Sequence, residues 1–169
     1  MTDERRIARV LDAPWLPPGS TAEAWAGNDC QVIDPVIVTR LLLVRRSSAG
    51  TLEFFRVPTP RGPNLPTRYL WGSEDHESVA DGTSRLMTEV FGRGDLATRC
   101  IGFIRNVVPT LDPNYAYPSP WAHVPVFLVT DTAEPIVAGD WVGADRAHAE
   151  LADRHWWPIV GNYLTAQDA

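Results

Sequence analysis

Glu77, Asp81, Arg85 and Glu89 recur at every fourth position of the stretch ESVADGTSRLMTEVFG. Residues three and four apart share one face of an α-helix. Carboxylates so spaced can converge on a hard divalent cation, which takes oxygen ligands. The same spacing also describes a solvated face of ion pairs, each contributing about 0.3 to 0.5 kcal/mol. Between these charges Val79, Thr83, Leu86, Met87, Val90 and Phe91 form an apolar stripe, so the pattern predicts a helix over 77–91. Asp75 is placed to cap its start, and Gly92 with Gly94 to end it. Gly82, in mid-helix, costs about 1 kcal/mol relative to alanine.

A second group of candidates is aromatic. The run PTLDPNYAYPSPWA, a loop of 14 residues, carries Tyr115, Tyr117 and Trp121, and structureless loops of that length are commonly functional. Trp71 lies on another predicted loop. These four side chains could flank one cleft and stack a ring or enclose a cation, or they could only anchor their loops. Asp112 in the same run reads first as a turn residue, because LDPN is a turn signal. His76, His123, His148 and His155 show no metal-ligand spacing; His148 reads as core-facing and His76 as a first-turn residue.

The elements that must carry these residues follow from periodicity. Ile7, Val10 and Leu11 fall at helical spacing, predicting a short N-terminal helix stopped by PWLPP. The run 35–46, PVIVTRLLLVRR, reads as a strand covered on both faces; SSAG is a turn, and TLEFFRV completes a hairpin. Residues 58–72, with four prolines and two glycines, read as loop. Two further strands are expected at ATRCIGFIRNVV and HVPVFLVT, then a helix ending near Asp153 and stopped at Pro158, with Ala144, Ala147, His148 and Leu151 facing inward and Trp156 and Trp157 sealing it. Strands mixed with helices in this order imply an α+β sandwich.

Composition bounds the partners. A chain of 169 residues favours one domain. A net charge of -6 argues against extended nucleic acid as a partner, although a small anion needs only a local patch. All 15 basic residues are arginine, which removes Schiff-base and phosphate-loop lysines from consideration. Cys30 and Cys100 read as free buried thiols. No apolar run is long enough for a signal peptide or a membrane span, so a cytoplasmic, soluble protein is expected, of open oligomeric state and compatible with a homodimer.

The order of elements and the residues of the stretch together resemble the Nudix superfamily. Its signature is a glycine, five residues, a glutamate, seven residues, then Arg-Glu-aliphatic-x-Glu-Glu-x-Gly, after a β-hairpin. Glu77, Arg85, Met87, Glu89 and Gly92 match it; Trp71 replaces the first glycine, and Leu86 and Val90 replace two glutamates. The likeness spans roughly residues 32–160, with GDWVGADRAHAEL resembling the closing segment. It implies a Nudix-like α/β/α sandwich with a mixed sheet over 32–169, preceded by a helical and turn-rich extension over 1–31. It further implies Glu89 as the remaining metal ligand, joined by Asp112, Arg85 as the residue that positions the carboxylates, Glu77 as an electrostatic contributor, and Mg²⁺ as cofactor. Three functions stay open: a divergent hydrolase of nucleoside-diphosphate-linked substrates with an impaired metal site, a non-hydrolytic small-molecule-binding module using the aromatic loops, or a scaffold for metal-free chemistry.

Overall fold

The computed structural model describes residues 3–72 and 76–168. Its centre is β3 (Val38–Leu42), whose two faces are both covered, as its density of aliphatic residues predicts. It pairs in parallel with β8 (Trp121–Val129), placing Arg40 opposite Val126. Around this pair a six-stranded sheet forms in the order β1 (Arg5–Leu11), β2 (Thr21–Ala26), β7 (Thr98–Val107), β8, β3, β6 (Thr67–Tyr69). A second sheet joins β4 (Val44–Arg46), β5 (Leu52–Arg56) and β9 (Asp140–Gly143). The predicted 35–46 strand is thus divided at Leu43, its first part entering one sheet and its second forming the expected hairpin of the other.

Three helices cover the sheets: α1 (Val79–Phe91), α2 (Ala144–Leu151) and α3 (Trp157–Gln167). Helix α1 buries Thr83, Leu86, Met87, Val90 and Phe91 as the apolar stripe predicts. Its cap is Ser78, whose hydroxyl accepts the Asp81 N–H, and Gly92 ends it at φ 78° in the left-handed region. The predicted cap, Asp75, lies outside the described residues, as does Glu74. Gly82 has a packing reason: a Cβ there would come within 2.1 Å of Leu70, which lies across the helix. The Thr39 and Thr83 hydroxyls, 2.9 Å apart and buried, tie α1 to β3.

Four expectations are corrected. The N-terminal segment is strand β1, not a helix; it lies at the sheet edge with Val10 and Leu11 exposed, and pairing with β2 overrides the helical spacing of Ile7, Val10 and Leu11. The proline-rich 58–72 segment contains β6, whose residues Thr67–Tyr69 follow the last proline and pair with β3. Pro158 sits in the first turn of α3 and begins a helix, because that turn has no partner for its missing N–H. His148 is exposed on α2, its Nδ1 accepting the Trp157 indole N–H at 3.2 Å, while Ala147 and Leu151 face the core. Both cysteines are free and buried, and Cys30 donates its backbone N–H to the Cys100 carbonyl at 2.7 Å. No helix among the described residues is long and apolar enough to cross a membrane.

Helix α3 docks on the six-stranded sheet at Gly102, where a Cβ would lie 2.4 Å from the Trp25 carbonyl oxygen and 2.6 Å from Ile159. Because one of those neighbours is backbone, Gly102→Ala is expected to cost about 1 to 3 kcal/mol. Thermal unfolding should show this as a midpoint lowered by roughly 2 to 4 °C per kcal/mol for a domain of this size.

Candidate functional site

The signature-like residues do not gather around a cation. Leu86 and Val90, each 2% exposed, are packed with Leu41, Leu43, Phe55 and Val129 in a closed apolar cluster between α1 and the sheets. Glu89, one turn position away, points to solvent. Asp112 accepts the Asn114 N–H at 2.8 Å and its carbonyl accepts the Tyr115 N–H, so it forms a turn in the β7–β8 loop. Among the described residues no three His, Cys, Asp or Glu side chains come together. A hard cation needs several oxygen donors, and a site walled by aliphatic side chains makes it expensive. The described residues at α1 therefore do not fit a Mg²⁺ centre.

Glu77 and Arg85 do meet. Glu77 precedes the helix, accepts the Arg68 Nε–H at 2.8 Å, and has its second oxygen 2.9 Å from Arg85 Nη1. These contacts, Arg68 first, hold the Glu77 carboxyl below the usual range. The expected i,i+4 ladder along the helix is replaced by this cluster at its start, which also receives the Leu70 carbonyl bond from the Glu77 N–H.

The four candidate aromatics separate. Trp71 stacks on His76, with centroids 3.6 Å apart, and forms an isolated antiparallel bridge with it ahead of α1. Trp121 opens β8 on the opposite sheet face from Ile104 and Asn106, its ring 4.9 Å from the Arg105 guanidinium. On that face His123 is 2% exposed and fully used: Nε2 accepts from Arg105 at 3.0 Å, and Nδ1 donates to the Pro35 carbonyl. Tyr115 and Tyr117 alone reach a common concavity.

That concavity lies on the side of β3 away from α1. A cleft of about 820 Å³ runs between the β5–β6 loop and the α2–α3 connection, with Arg40, Arg61, Tyr69, Arg154 and His155 in its walls. A smaller chamber of about 160 Å³ adjoins it and shares Arg40, Tyr69 and His155. The chamber, open to solvent on one side, is flanked by Trp15 from the β1–β2 turn and by Tyr115 and Tyr117, above a floor that includes Ile37, Ile104 and Val124. Trp15 stacks on His155 at 3.7 Å.

Arg40 is the unusual member. It occupies an inward position of β3 between Val38 and Leu42, and burial pulls its pKa down to about 10, helped by the nearby charge of Arg154. No carboxylate pairs with it among the described residues, whereas Arg56, buried at 3% exposure, is bound by both Asp140 and Glu150. His155 is held neutral, at about 4, by its packing and by the charges of Arg40 and Arg154. Arg40, Asn106, Trp15, Tyr69 and His155 were not singled out by sequence. The signal available was an arginine inside a strand whose two faces are both apolar, since such a charge needs a partner.

No family model matches the chain, and no curated protein matches it by sequence. Solved structures do match its shape. A protein from Listeria monocytogenes assigned as a NUDIX hydrolase superposes with a TM-score of 0.54 at 14% identity, covering 78% of this chain and 96% of that one. At lower similarity, an Ap4A hydrolase from C. elegans gives a TM-score of 0.46 at 14% identity, covering 79% of this chain and 96% of that one. At such identities the likeness is one of fold, and the fold of this chain is that of the Nudix hydrolases.

Proposed function

We propose that this protein is a Nudix-fold small-molecule-binding protein whose ligand occupies the cleft on the β3 face away from α1, without metal-dependent diphosphate cleavage at α1. The observation that carries this reading is the burial of Leu86 and Val90. They stand where the superfamily signature has glutamates, and they fill that space with aliphatic carbon. Each such burial stabilises the fold by roughly 1.5 to 3 kcal/mol, whereas a carboxylate in the same place would be a desolvated charge. The cleft, by contrast, offers volume, aromatic walls and an unpaired guanidinium.

A second reading, a divergent hydrolase of nucleoside-diphosphate-linked substrates, is favoured by one observation. The Arg68, Glu77 and Arg85 cluster holds a charged side chain, Arg85, one helical turn before Glu89. On this reading a bound diphosphate would complete the ligand shell that Glu89 alone cannot provide.

Calorimetric titration of Mg²⁺ and Mn²⁺ into the protein, alone and with ADP-ribose, separates the two. The binding-module reading expects no metal step under either condition and no hydrolysis. A metal step that appears only with ADP-ribose, and is lost in Glu89→Gln, would establish the hydrolase instead. Reintroducing a signature carboxylate gives an independent check. Leu86→Glu is expected to destabilise the protein by about 3 to 5 kcal/mol through lost burial and an unpaired buried charge, read by denaturant unfolding in the presence and absence of Mg²⁺. Equal stability of the variant, or its rescue by Mg²⁺, would mean that the α1 seam is wet enough to hold a cation.

A further inference from the structure

Three residues of the small chamber each carry a buried polar atom with nothing to bond. Arg40 Nε, Asn106 Oδ1 and the Tyr115 hydroxyl are each shielded from solvent and lack a hydrogen-bond partner among the described residues, and all three residues line the same space of about 160 Å³. Orphaned buried polar groups are rare in folded proteins, and each costs about 1 to 3 kcal/mol. They come from three separate elements, β3, β7 and the β7–β8 loop, so no local turn or cap explains them. Nothing in the packing compels them either: the neighbouring wall positions Ile37, Val38, Ile104 and Val124 are apolar. Asn106 lies between Ala22 and Ala122 on adjacent strands, and these small residues leave room above it.

The size and chemistry of the chamber select an occupant. A dry cavity of about 150 Å³ is known to take one benzene ring, and this half-open chamber of about 160 Å³ has room for one six-membered ring. Arg40 stands where the chamber opens into the larger cleft, beside Arg154 and Arg61, whose carbonyl accepts from Arg154 at 2.7 Å. An anionic group attached to the ring would meet Arg40 at that opening and give the guanidinium its missing partner. The opposite edge of the ring would face the Asn106 amide and the Tyr115 hydroxyl. We propose that the chamber binds a planar six-membered ring bearing an anionic substituent, with the anion on Arg40 and the polar ring edge hydrogen-bonded by Asn106 and Tyr115. The proposal rests on the reading that the cleft, and not α1, is the working site.

The test is calorimetry with 4-hydroxybenzoate, its neutral amide 4-hydroxybenzamide, phenyl phosphate and inorganic phosphate, on the wild-type chain and on Arg40→Gln, Asn106→Leu and Tyr115→Phe. The two ring anions are expected to bind at one site, with the neutral amide and inorganic phosphate at least about tenfold weaker, and Arg40→Gln reducing ring-anion binding by at least about tenfold. Carboxylate and phosphate arms tell which anion Arg40 prefers, and either preference supports the proposal. Because Arg40→Gln could perturb β3, Tyr115→Phe, which removes one oxygen atom, and the proton NMR titration of His155 are read alongside it. Arg40 from β3, and Arg154 and Asp153 beside it, are the charged groups facing that imidazole. An anion on Arg40 offsets the repulsion that holds it neutral, so its titration should move upward with 4-hydroxybenzoate and stay unmoved with the amide. Equal binding of the amide would overturn the anion assignment while leaving the cleft reading intact. Inorganic phosphate binding as tightly as the ring anions would overturn the ring. Binding of no probe by the folded wild-type chain would mean that water fills the chamber, and would overturn the proposal whatever the metal titration shows.

Discussion

Everything in this structure is arranged about a strand that has no free face. Side chains of a β-strand alternate between the two sides of the sheet, so Thr39 and Leu41 of β3 meet α1 while Val38, Arg40 and Leu42 meet the opposite layer. Parallel pairing with β8 fixes the register, and a slip by one residue would exchange the two sets. It would drive Arg40 into the dry seam under α1 and Thr39 away from Thr83. The helix with the signature-like residues and the cleft on the other side are therefore two consequences of one alternation.

On the α1 side the local rules agree with one another. The apolar stripe at helical spacing meets an apolar strand, Gly82 admits Leu70, Gly92 supplies the left-handed residue that ends the helix, and Ser78 caps its start. Glu77 is placed by Arg68 and Arg85, so the charge cluster has a structural use of its own: it fastens the segment that enters the helix. Because the Glu77 carboxyl titrates below its unfolded value, its contribution is complete above the ordinary carboxyl range and is lost as pH falls through the lowered pKa. A helix this self-consistent does not need metal chemistry to account for its residues.

The stretch ESVADGTSRLMTEVFG was legible because α1 obeys a single period over 13 residues, and the doubly covered strand was legible because β-branched and aliphatic residues are dense in 35–46. Strand β2, Thr21–Ala26, was not, since alternation of alanine with threonine, glutamate and tryptophan carries little apolar contrast. Strand β1 imitated a helix because Ile7, Val10 and Leu11 fit a 3.6-residue period, and only its partner β2 decides the matter. The chamber was the least legible part. Trp15, Arg40, Asn106, Tyr115 and His155 are spread over much of the chain and converge through sheet order β2-β7-β8-β3, in which sequence neighbours are not spatial neighbours. Of the four aromatics chosen by loop position, two reach it, because loop membership says nothing about which sheet face a residue meets.

The contrast between the two sides of β3 has a thermodynamic sense. Replacing an unpaired buried charge and two unbonded polar groups by aliphatic side chains of similar volume is commonly neutral or stabilising, and the α1 seam shows what such a solution looks like in this chain, with Leu86 and Val90 closed against Leu41 and Leu43. The cleft side carries the opposite arrangement, three polar atoms left without partners around a ring-sized space, although apolar residues surround them. Natural sequences break local rules chiefly at functional or strained positions. Leu86 and Val90, which replace two signature glutamates, break none here, whereas Arg40, Asn106 and Tyr115 do. Stability alone favours the first set, and it is the second whose presence calls for a ligand.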